Sequence, residues 1–242
     1  MIRLQFAEAT ALLTLDRAGA RNALPIAAWD AIADAAEAVA ASEARVLILQ
    51  SAMPGMFSAG ADLAEFAALV TDPALRTRFR TAMARGIEAV AALPIPVIAV
   101  VDGGCFGAAV ALTLGCDIVV AGDAAVFATT PAKLGIGYPA RDVGRLRARV
   151  GMGQAARMLF TGDRIYADEA ARIGLAHRRV ADAGVEARAM AELIATNDAD
   201  AVRMLKAVLC DPDAPGHDQA FEDAFGSPAF AQRLDAFLAG KR

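Results

Sequence analysis

Two stretches of this chain carry its clearest structural signal: Phe57-Ser58-Ala59-Gly60-Ala61-Asp62 and Gly103-Gly104-Cys105-Phe106-Gly107-Ala108. In each, an apolar strand pattern runs into a turn of small residues and then into a helical pattern. Backbone N–H groups exposed at such turns can be directed at one oxygen atom that gains negative charge, and helix dipoles add to the effect. The two stretches therefore predict an oxyanion hole, and the positions just beyond it carry no obvious acid or base.

The composition predicts one large α/β domain, or a core domain with a smaller appendage, that folds without disulfides. The 242 residues suffice to bury a substantial core. Cys105, Cys116 and Cys210 are odd in number and lie in apolar surroundings, which is typical of reduced, packed thiols in the cytosol. The N-terminus shows no signal or transit peptide, and polar residues interrupt every apolar run before membrane-spanning length. We therefore expect a cytoplasmic protein without membrane contact.

Charge and spacing argue against several function classes. The net charge is -4 and no basic cluster occurs, which argues against nucleic-acid binding. The turn after Val97–Val101 lacks the G-x-G-x-x-G order of a dinucleotide site, and no G-x-S-x-G elbow of a serine hydrolase is present. No Cys, His and carboxylate cluster has metal-ligand spacing, so no metal is expected.

Apolar periodicity predicts strands and helices in alternation up to about residue 140. The predicted strands are 3–7, 10–15, 45–50, 97–101, 117–121 and 125–128. The predicted helices are 26–41, 73–92 and 106–114, and the last is so apolar that it should be buried on nearly all sides. From Arg141 onward the pattern is helical throughout. This order implies stacked sheets with right-handed crossovers.

Several segments match one family in order and spacing over nearly the whole chain. They are 15–24, 57–63, 94–117, 127–135, 159–165 and 170–175. Through them the chain resembles the crotonase superfamily, the enoyl-CoA hydratases and isomerases. The resemblance implies a spiral of ββα units over residues 1–190, which holds a CoA-thioester site, and a helical C-terminal region, residues 191–242, that forms homotrimers or dimers of trimers. It also implies an acyl-CoA substrate, with coenzyme A as part of that substrate and no separate cofactor.

The resemblance assigns residues to both parts of the substrate. Ala59 and Ala108 would donate their N–H groups to the thioester oxygen, on which charge develops during enolisation. Gly107 is assigned to substrate binding beside them. At the position of Ala108 the family more usually has glycine, and the methyl group of the alanine would narrow the acyl pocket.

Two loops are assigned to coenzyme A. Gly19, Ala20 and Arg21 match the loop at the pantetheine and phosphates, and Ala61, Asp62 and Leu63 match the wall at the adenine and pantetheine. Arg21 is a phosphate partner in this interpretation and a solvated surface arginine in the alternative. Lys241 is a further candidate for contact with coenzyme A.

Both glutamates that hydratases of this family use for proton transfer are absent. Their positions fall on Ala111 and Pro131, neither of which can move a proton. The segment 127–138 is more similar to methylmalonyl-CoA decarboxylases of the family, in which a tyrosine lies near the reacting carbon and loss of carboxylate makes a base unnecessary. The match is partial, because those decarboxylases have a histidine at the position of Ala61 and a glutamate at that of Ala111. Tyr138 is therefore the first candidate for a catalytic side chain. Asp142 is the second, with a helix N-cap as its alternative role.

The expected protein is an enoyl-CoA hydratase/isomerase family enzyme that works through a stabilised enolate. Hydration, double-bond isomerisation and decarboxylation remain open as its reaction. The alternative is a catalytically silent acyl-CoA-binding or assembly subunit, which would explain Ala111 and Pro131 directly.

Overall fold

A computed structural model describes residues 1–240, and in this range the chain forms ten strands and ten α-helices. The strands are β1 (Ile2–Ala7), β2 (Thr10–Leu15), β3 (Val46–Ser51), β4 (Gly55–Ser58), β5 (Val97–Val101), β6 (Gly103–Phe106), β7 (Ile118–Gly122), β8 (Val126–Ala128), β9 (Ile165–Tyr166) and β10 (Arg178–Val180). The helices are α1 (Ile26–Ala40), α2 (Phe66–Leu69), α3 (Pro73–Ala91), α4 (Ala108–Leu114), α5 (Ala140–Thr161), α6 (Ala167–Arg172), α7 (Ala183–Thr196), α8 (Ala199–Cys210), α9 (His217–Ala224) and α10 (Pro228–Ala239). Short 3-10 turns cover Ala18–Ala20, Leu63–Glu65 and Pro131–Leu134.

The larger sheet has six strands in the order β1-β2-β3-β5-β7-β10. β1 and β2 form an antiparallel hairpin, and the other neighbours are parallel. Every residue of β5 is buried, which explains its continuous apolar run, because both faces of a parallel sheet are covered. All six strands predicted from the sequence are confirmed to within one residue at either end.

The smaller sheet has the order β4-β6-β8-β9. Its first three strands follow one another in the same order as the strands β3, β5 and β7 of the larger sheet. Three successive passes each place one strand in the larger sheet, the next strand in the smaller sheet, and then a helix. These passes are β3-β4-α3, with the one-turn α2 before α3, then β5-β6-α4 and β7-β8-α5. The predicted α/β spiral of ββα units is therefore confirmed.

Helix α4 lies inside the main core, as its sequence predicts. Each residue from Ala109 to Leu114 exposes 5% or less of its surface. Its polar side chain, Thr113, donates its hydroxyl hydrogen to the Val110 carbonyl at 2.8 Å. Because the rest of α4 is packed on nearly all sides, the position of its first residue, Ala108, is fixed.

The prediction of a helical chain beyond Arg141 is wrong at β9 and β10. These strands have two and three residues, too few for a period-2 pattern to register. β6 was predicted as a turn because glycines begin it, and packing requires one of them. A Cβ atom on Gly103 would lie 2.1 Å from the carbonyl carbon of Gly55 in β4.

Two of the C-terminal helices, α7 and α8, attach to the larger sheet and its flanking residues at separate points. α7 packs on it through Ala183, Ala187 and Ala191, so the predicted boundary between residues 190 and 191 lies inside this helix. α8 is held by Lys206, whose buried ammonium group donates to the Asp117 carboxylate at 2.7 Å. Along residues 1–240, no helix is both long and apolar enough to cross a membrane.

Candidate active site

A cavity of about 200 Å³ opens where the two small-residue turns meet. Its walls come from the turn after β4, the N-terminus of α4, helix α3 and the segment 130–139. Most of the lining is apolar. Six of the site residues predicted from the sequence line it: Ala59, Ala61, Leu63, Gly107, Ala108 and Tyr138.

The two turns touch at Gly60, where the backbone leaves no room for a side chain. Its φ is +91°, and an added Cβ would lie 2.4 Å from the Phe106 carbonyl oxygen and 3.1 Å from the Ala108 nitrogen. Gly107 also has a positive φ, +52°. Small residues at these positions therefore serve the close approach of two backbone segments.

Two N–H groups of the turn after β4 already donate hydrogen bonds within the chain. The Ala59 N–H donates to the Arg21 carbonyl at 3.0 Å, and the Gly60 N–H donates to the Ser58 hydroxyl at 3.1 Å. The geometry therefore favours other donors over Ala59, whose role at the thioester oxygen stays a prediction. Ala59 lines the cavity, but its hydrogen is already bonded to another loop.

Several cavity-lining N–H groups have no hydrogen-bond partner within residues 1–240, and two of them lie where the turns meet. One belongs to Ala61, which follows Gly60, and the other to Ala108, the first residue of α4, whose nitrogen lies close to Gly60. The first N–H groups of a helix have no partner inside it and lie at the positive end of its dipole. The N–H groups of Ala61 and Ala108 are therefore the candidate donors to one oxygen atom, where the sequence had predicted those of Ala59 and Ala108.

Tyr138 provides a hydroxyl group beside these donors. Its side chain is half-buried, and its hydroxyl donates to the Gly107 carbonyl oxygen at 2.9 Å. Burial, and to a smaller extent the charge of Asp142, raises the pKa of Tyr138 well above the ordinary value. The group is therefore a neutral phenol at physiological pH, which can give a proton but is not a base.

Asp142 does not line the cavity, and its assignment as a catalytic residue stays a prediction. It is buried in the first turn of α5, with its carboxylate 3.5 Å from the Arg145 guanidinium. The alternative N-cap role is wrong, because α5 begins at Ala140 and its N-cap is Pro139. Burial raises the pKa of Asp142.

Asp62 has structural contacts within the chain, and its predicted contact with coenzyme A stays a prediction. Its carboxylate accepts hydrogen bonds from Arg17 at 2.6 Å and from the Ala64 N–H at 3.0 Å. Burial alone would raise the pKa of Asp62, but these bonds and the Arg17 charge outweigh it and lower the pKa. The Arg17–Asp62 pair therefore joins the loop at residues 17–24 to the first turn.

The loop predicted to contact coenzyme A lies on the surface outside the cavity lining. Gly19 and Arg21 are exposed, and Ala20 is half-buried. Arg21 adopts a left-handed conformation, with φ +53°, so that its carbonyl accepts the Ala59 N–H. The contact of its side chain with a phosphate stays a prediction, and Lys241 lies outside the described residues.

Sequence reasoning missed Arg80, which lines the cavity from helix α3. The helical pattern marks an arginine at this position as a solvated residue, and only the folded chain shows which exposed residues border the cavity. Thr130 adds a hydroxyl to the lining, whereas the neighbouring Thr129 is buried and donates to the Met158 carbonyl at 2.7 Å. Cys105 is buried, and burial raises the pKa of its thiol, as expected of a packing residue.

A spiral of ββα units that brings two unpaired N–H groups to one apolar cavity defines the class of this protein: an α/β protein with a candidate oxyanion site. A family profile described as enoyl-CoA hydratase/isomerase matches residues 5–222. The chain therefore belongs to the enoyl-CoA hydratase/isomerase family, and the resemblance to the crotonase superfamily is confirmed.

Individual relatives and solved structures agree with this assignment. A probable enoyl-CoA hydratase (echA8) from Mycobacterium leprae is 34% identical over 197 residues, which are 81% of this chain and 75% of the relative. Another probable enoyl-CoA hydratase (echA6), from Mycobacterium bovis, is 30% identical over 94% of this chain and 91% of its own length. The crystal structure of a putative enoyl-CoA hydratase/isomerase family protein from Hyphomonas neptunium is 33% identical and superposes with a TM-score of 0.94, covering 99% of this chain and 95% of that one.

Proposed function

We propose that this protein is an enzyme that binds an acyl-CoA thioester in the cavity and stabilises its enolate form. The thioester oxygen accepts hydrogen bonds from the Ala61 and Ala108 N–H groups. Both strengthen as charge moves onto the oxygen, so they stabilise the transition state more than the bound substrate. The probable enoyl-CoA hydratases among the relatives support an acyl-CoA substrate.

The observation that carries the choice of reaction is the absence of a carboxylate from the cavity lining along residues 1–240. Of the two positions that match hydratase glutamates, Ala111 is fully buried in α4 and Pro131 lines the cavity. Hydration needs a base that activates water, and isomerisation needs a base that removes a proton from carbon. A neutral tyrosine provides neither function.

Decarboxylation of a 2-carboxyacyl-CoA is the reaction of this family that the site supports best. The bond between the α-carbon and the carboxylate breaks, carbon dioxide leaves, and the electron pair enters the thioester as an enolate. Tyr138 then donates its hydroxyl proton to the α-carbon, and the tyrosinate regains a proton from water. No base is needed at any step.

A panel of three thioesters tests this proposal. Methylmalonyl-CoA should be converted to propionyl-CoA and carbon dioxide, whereas crotonyl-CoA and a β,γ-enoyl-CoA should not react. Tyr138→Phe should lower kcat for methylmalonyl-CoA by about tenfold or more, because the proton donor is lost. Tyr166→Phe is the matched control, since Tyr166 is exposed and outside the cavity.

Two results would contradict the proposal. Turnover of crotonyl-CoA without decarboxylation would identify a hydratase that handles the proton in another way. Tight binding of all three thioesters without turnover would identify the catalytically silent subunit considered from the sequence.

We propose further that the protein is a homotrimer or a dimer of trimers. Support comes from α8 and α9, where Leu209 exposes 85% of its surface and Phe221 59%. Subunit contacts commonly bury such apolar residues. A cytoplasmic location, and coenzyme A as part of the substrate only, remain predictions.

A further inference from the structure

Three of the four arginines of helix α3 are paired, and the fourth is not. Arg76 donates to two backbone carbonyls at the end of α2, and Arg78 and Arg85 bond to carboxylates of α1. Arg80 has no hydrogen bond or ion pair within residues 1–240. The helix therefore carries one guanidinium group that does not contribute a hydrogen bond or an ion pair to the fold of residues 1–240.

The unpaired arginine is the residue of α3 that brings a charge to the cavity. Phe79 and Met83 line the same wall, and the Phe79 ring packs edge-on against Phe66 at 5.5 Å between centroids. Arg80 precedes Met83 by three positions, which places the two on one face of the helix. Arg80 itself is exposed, so its charge lies where an apolar wall meets solvent.

The cavity lining has a positive formal charge and nothing to balance it. Arg80 is its only charged residue within 1–240, and its other polar side chains are those of Thr130 and Tyr138. A guanidinium group presents paired N–H donors that match the two oxygens of a carboxylate. The complementary ligand is therefore an anion small enough for a cavity of about 200 Å³.

We propose that Arg80 binds a carboxylate on the acyl part of the thioester and so selects carboxylated acyl groups. The inference rests on the proposed function, because it assumes that the acyl group lies in this cavity. A volume of about 200 Å³ suits a short acyl group, whereas pockets that enclose drug-sized ligands measure roughly 300–1,000 Å³. The phosphates of coenzyme A are the alternative anions, and the experiment separates the two.

The proposal has a kinetic consequence that distinguishes Arg80 from Tyr138. The carboxylate loses its charge as carbon dioxide forms, so its bond to Arg80 is stronger in the bound substrate than in the transition state. Arg80 is therefore a specificity residue whose loss raises KM and leaves kcat unchanged or higher. Loss of the Tyr138 hydroxyl lowers kcat.

Affinity is measured as KM for methylmalonyl-CoA, which the enzyme turns over, and by titration calorimetry for isobutyryl-CoA, in which a methyl group replaces the carboxylate. Arg80→Gln should weaken methylmalonyl-CoA binding by about tenfold and leave isobutyryl-CoA binding unchanged. Arg80→Lys should restore part of the difference. Arg85→Gln is the matched control, because it removes a positive charge from the same helix at a surface pair outside the cavity.

A second pair of ligands locates the anion. Methylmalonyl and isobutyryl thioesters of pantetheine lack the phosphates of coenzyme A, and the effect of Arg80→Gln on the first of them should persist. An equal loss for all coenzyme A thioesters that vanishes with the pantetheine thioesters would mean that Arg80 binds phosphate, and would overturn the proposal. Unchanged binding of every ligand would also overturn it, and failure of the unmodified protein to bind any thioester would overturn the proposed function as well.

Discussion

At the scale of single residues, Gly60 controls whether the two proposed oxyanion donors can meet. A Cβ atom there would collide with the Phe106 carbonyl oxygen at 2.4 Å, and the φ of +91° disfavours any other residue. Gly60→Ala should therefore lower the free energy of unfolding by about 1–3 kcal/mol and reduce turnover, because the turns are forced apart. Chemical denaturation and a decarboxylation assay measure the two effects.

Gly144→Ala is the control for Gly60→Ala. Gly144 lies inside helix α5 with no atom within 4 Å of an added Cβ, so alanine should leave stability unchanged or raise it. If Gly60→Ala were as stable and as active as Gly144→Ala, the close approach of the two turns would have no role in the site.

Individual residues also show where sequence reasoning stops. It found both turns, because small residues after an apolar strand are visible in the sequence. It chose Ala59 over Ala61 because nothing in the sequence shows that the Arg21 carbonyl accepts the Ala59 hydrogen. It missed Arg80 because helical periodicity separates buried from exposed positions and does not identify the exposed positions that border a cavity.

At the scale of elements, a histidine ties the chain before β10 to strand β7. The Val119 N–H donates to His177 Nδ1 at 2.8 Å, and the Arg149 guanidinium lies 3.2 Å from Nε2. Partial burial, and then the Arg149 charge, lowers the pKa of His177 below its ordinary value of 6.5. The unfolded chain therefore binds this proton more readily than the folded one.

This pKa shift makes stability depend on pH in a defined direction. The contribution of His177 is fully present above pH 6.5 and decreases as the pH falls from there to the pKa of the folded state. The free energy of unfolding should consequently be smaller at about pH 5.5 than at about pH 7.5. Urea denaturation at both values measures the difference, which His177→Asn should reduce and the control His217→Asn should not. An undiminished difference in His177→Asn would assign it to other groups.

The element scale was the most predictable one. Strand β5 and helix α4 consist almost entirely of apolar residues, so the sequence alone predicts that they are buried. β9 and β10 have two and three residues, and their pairing with β8 and β7 depends on contacts distant in sequence. Local pattern therefore identifies most elements of the spiral, but it misses β6, whose glycines indicate a turn, and the short strands at the sheet edges.

At the scale of the whole molecule, the exposed apolar side chains of the C-terminal helices predict the oligomeric state. The protein should elute with a mass three or six times its chain mass of 25.0 kDa when light scattering is recorded during size-exclusion chromatography. Leu209→Glu should shift the protein toward monomers, because a charge would have to be buried in the contact. Glu192→Lys, an exposed change on α7, is the control, and a monomeric unmodified protein would contradict the proposal.

The buried position of helix α4 has a consequence for how new activities could arise in this scaffold. Its N-terminus presents the N–H of Ala108, the proposed donor, and the rest of the helix is buried in the core. Substitutions in this wall of the cavity should therefore destabilise the fold. The facing residues Arg80, Leu134 and Ile136 are exposed and touch the same cavity. Substrate range should therefore evolve, or be engineered, through these three positions while the chemistry of the thioester oxygen stays constant.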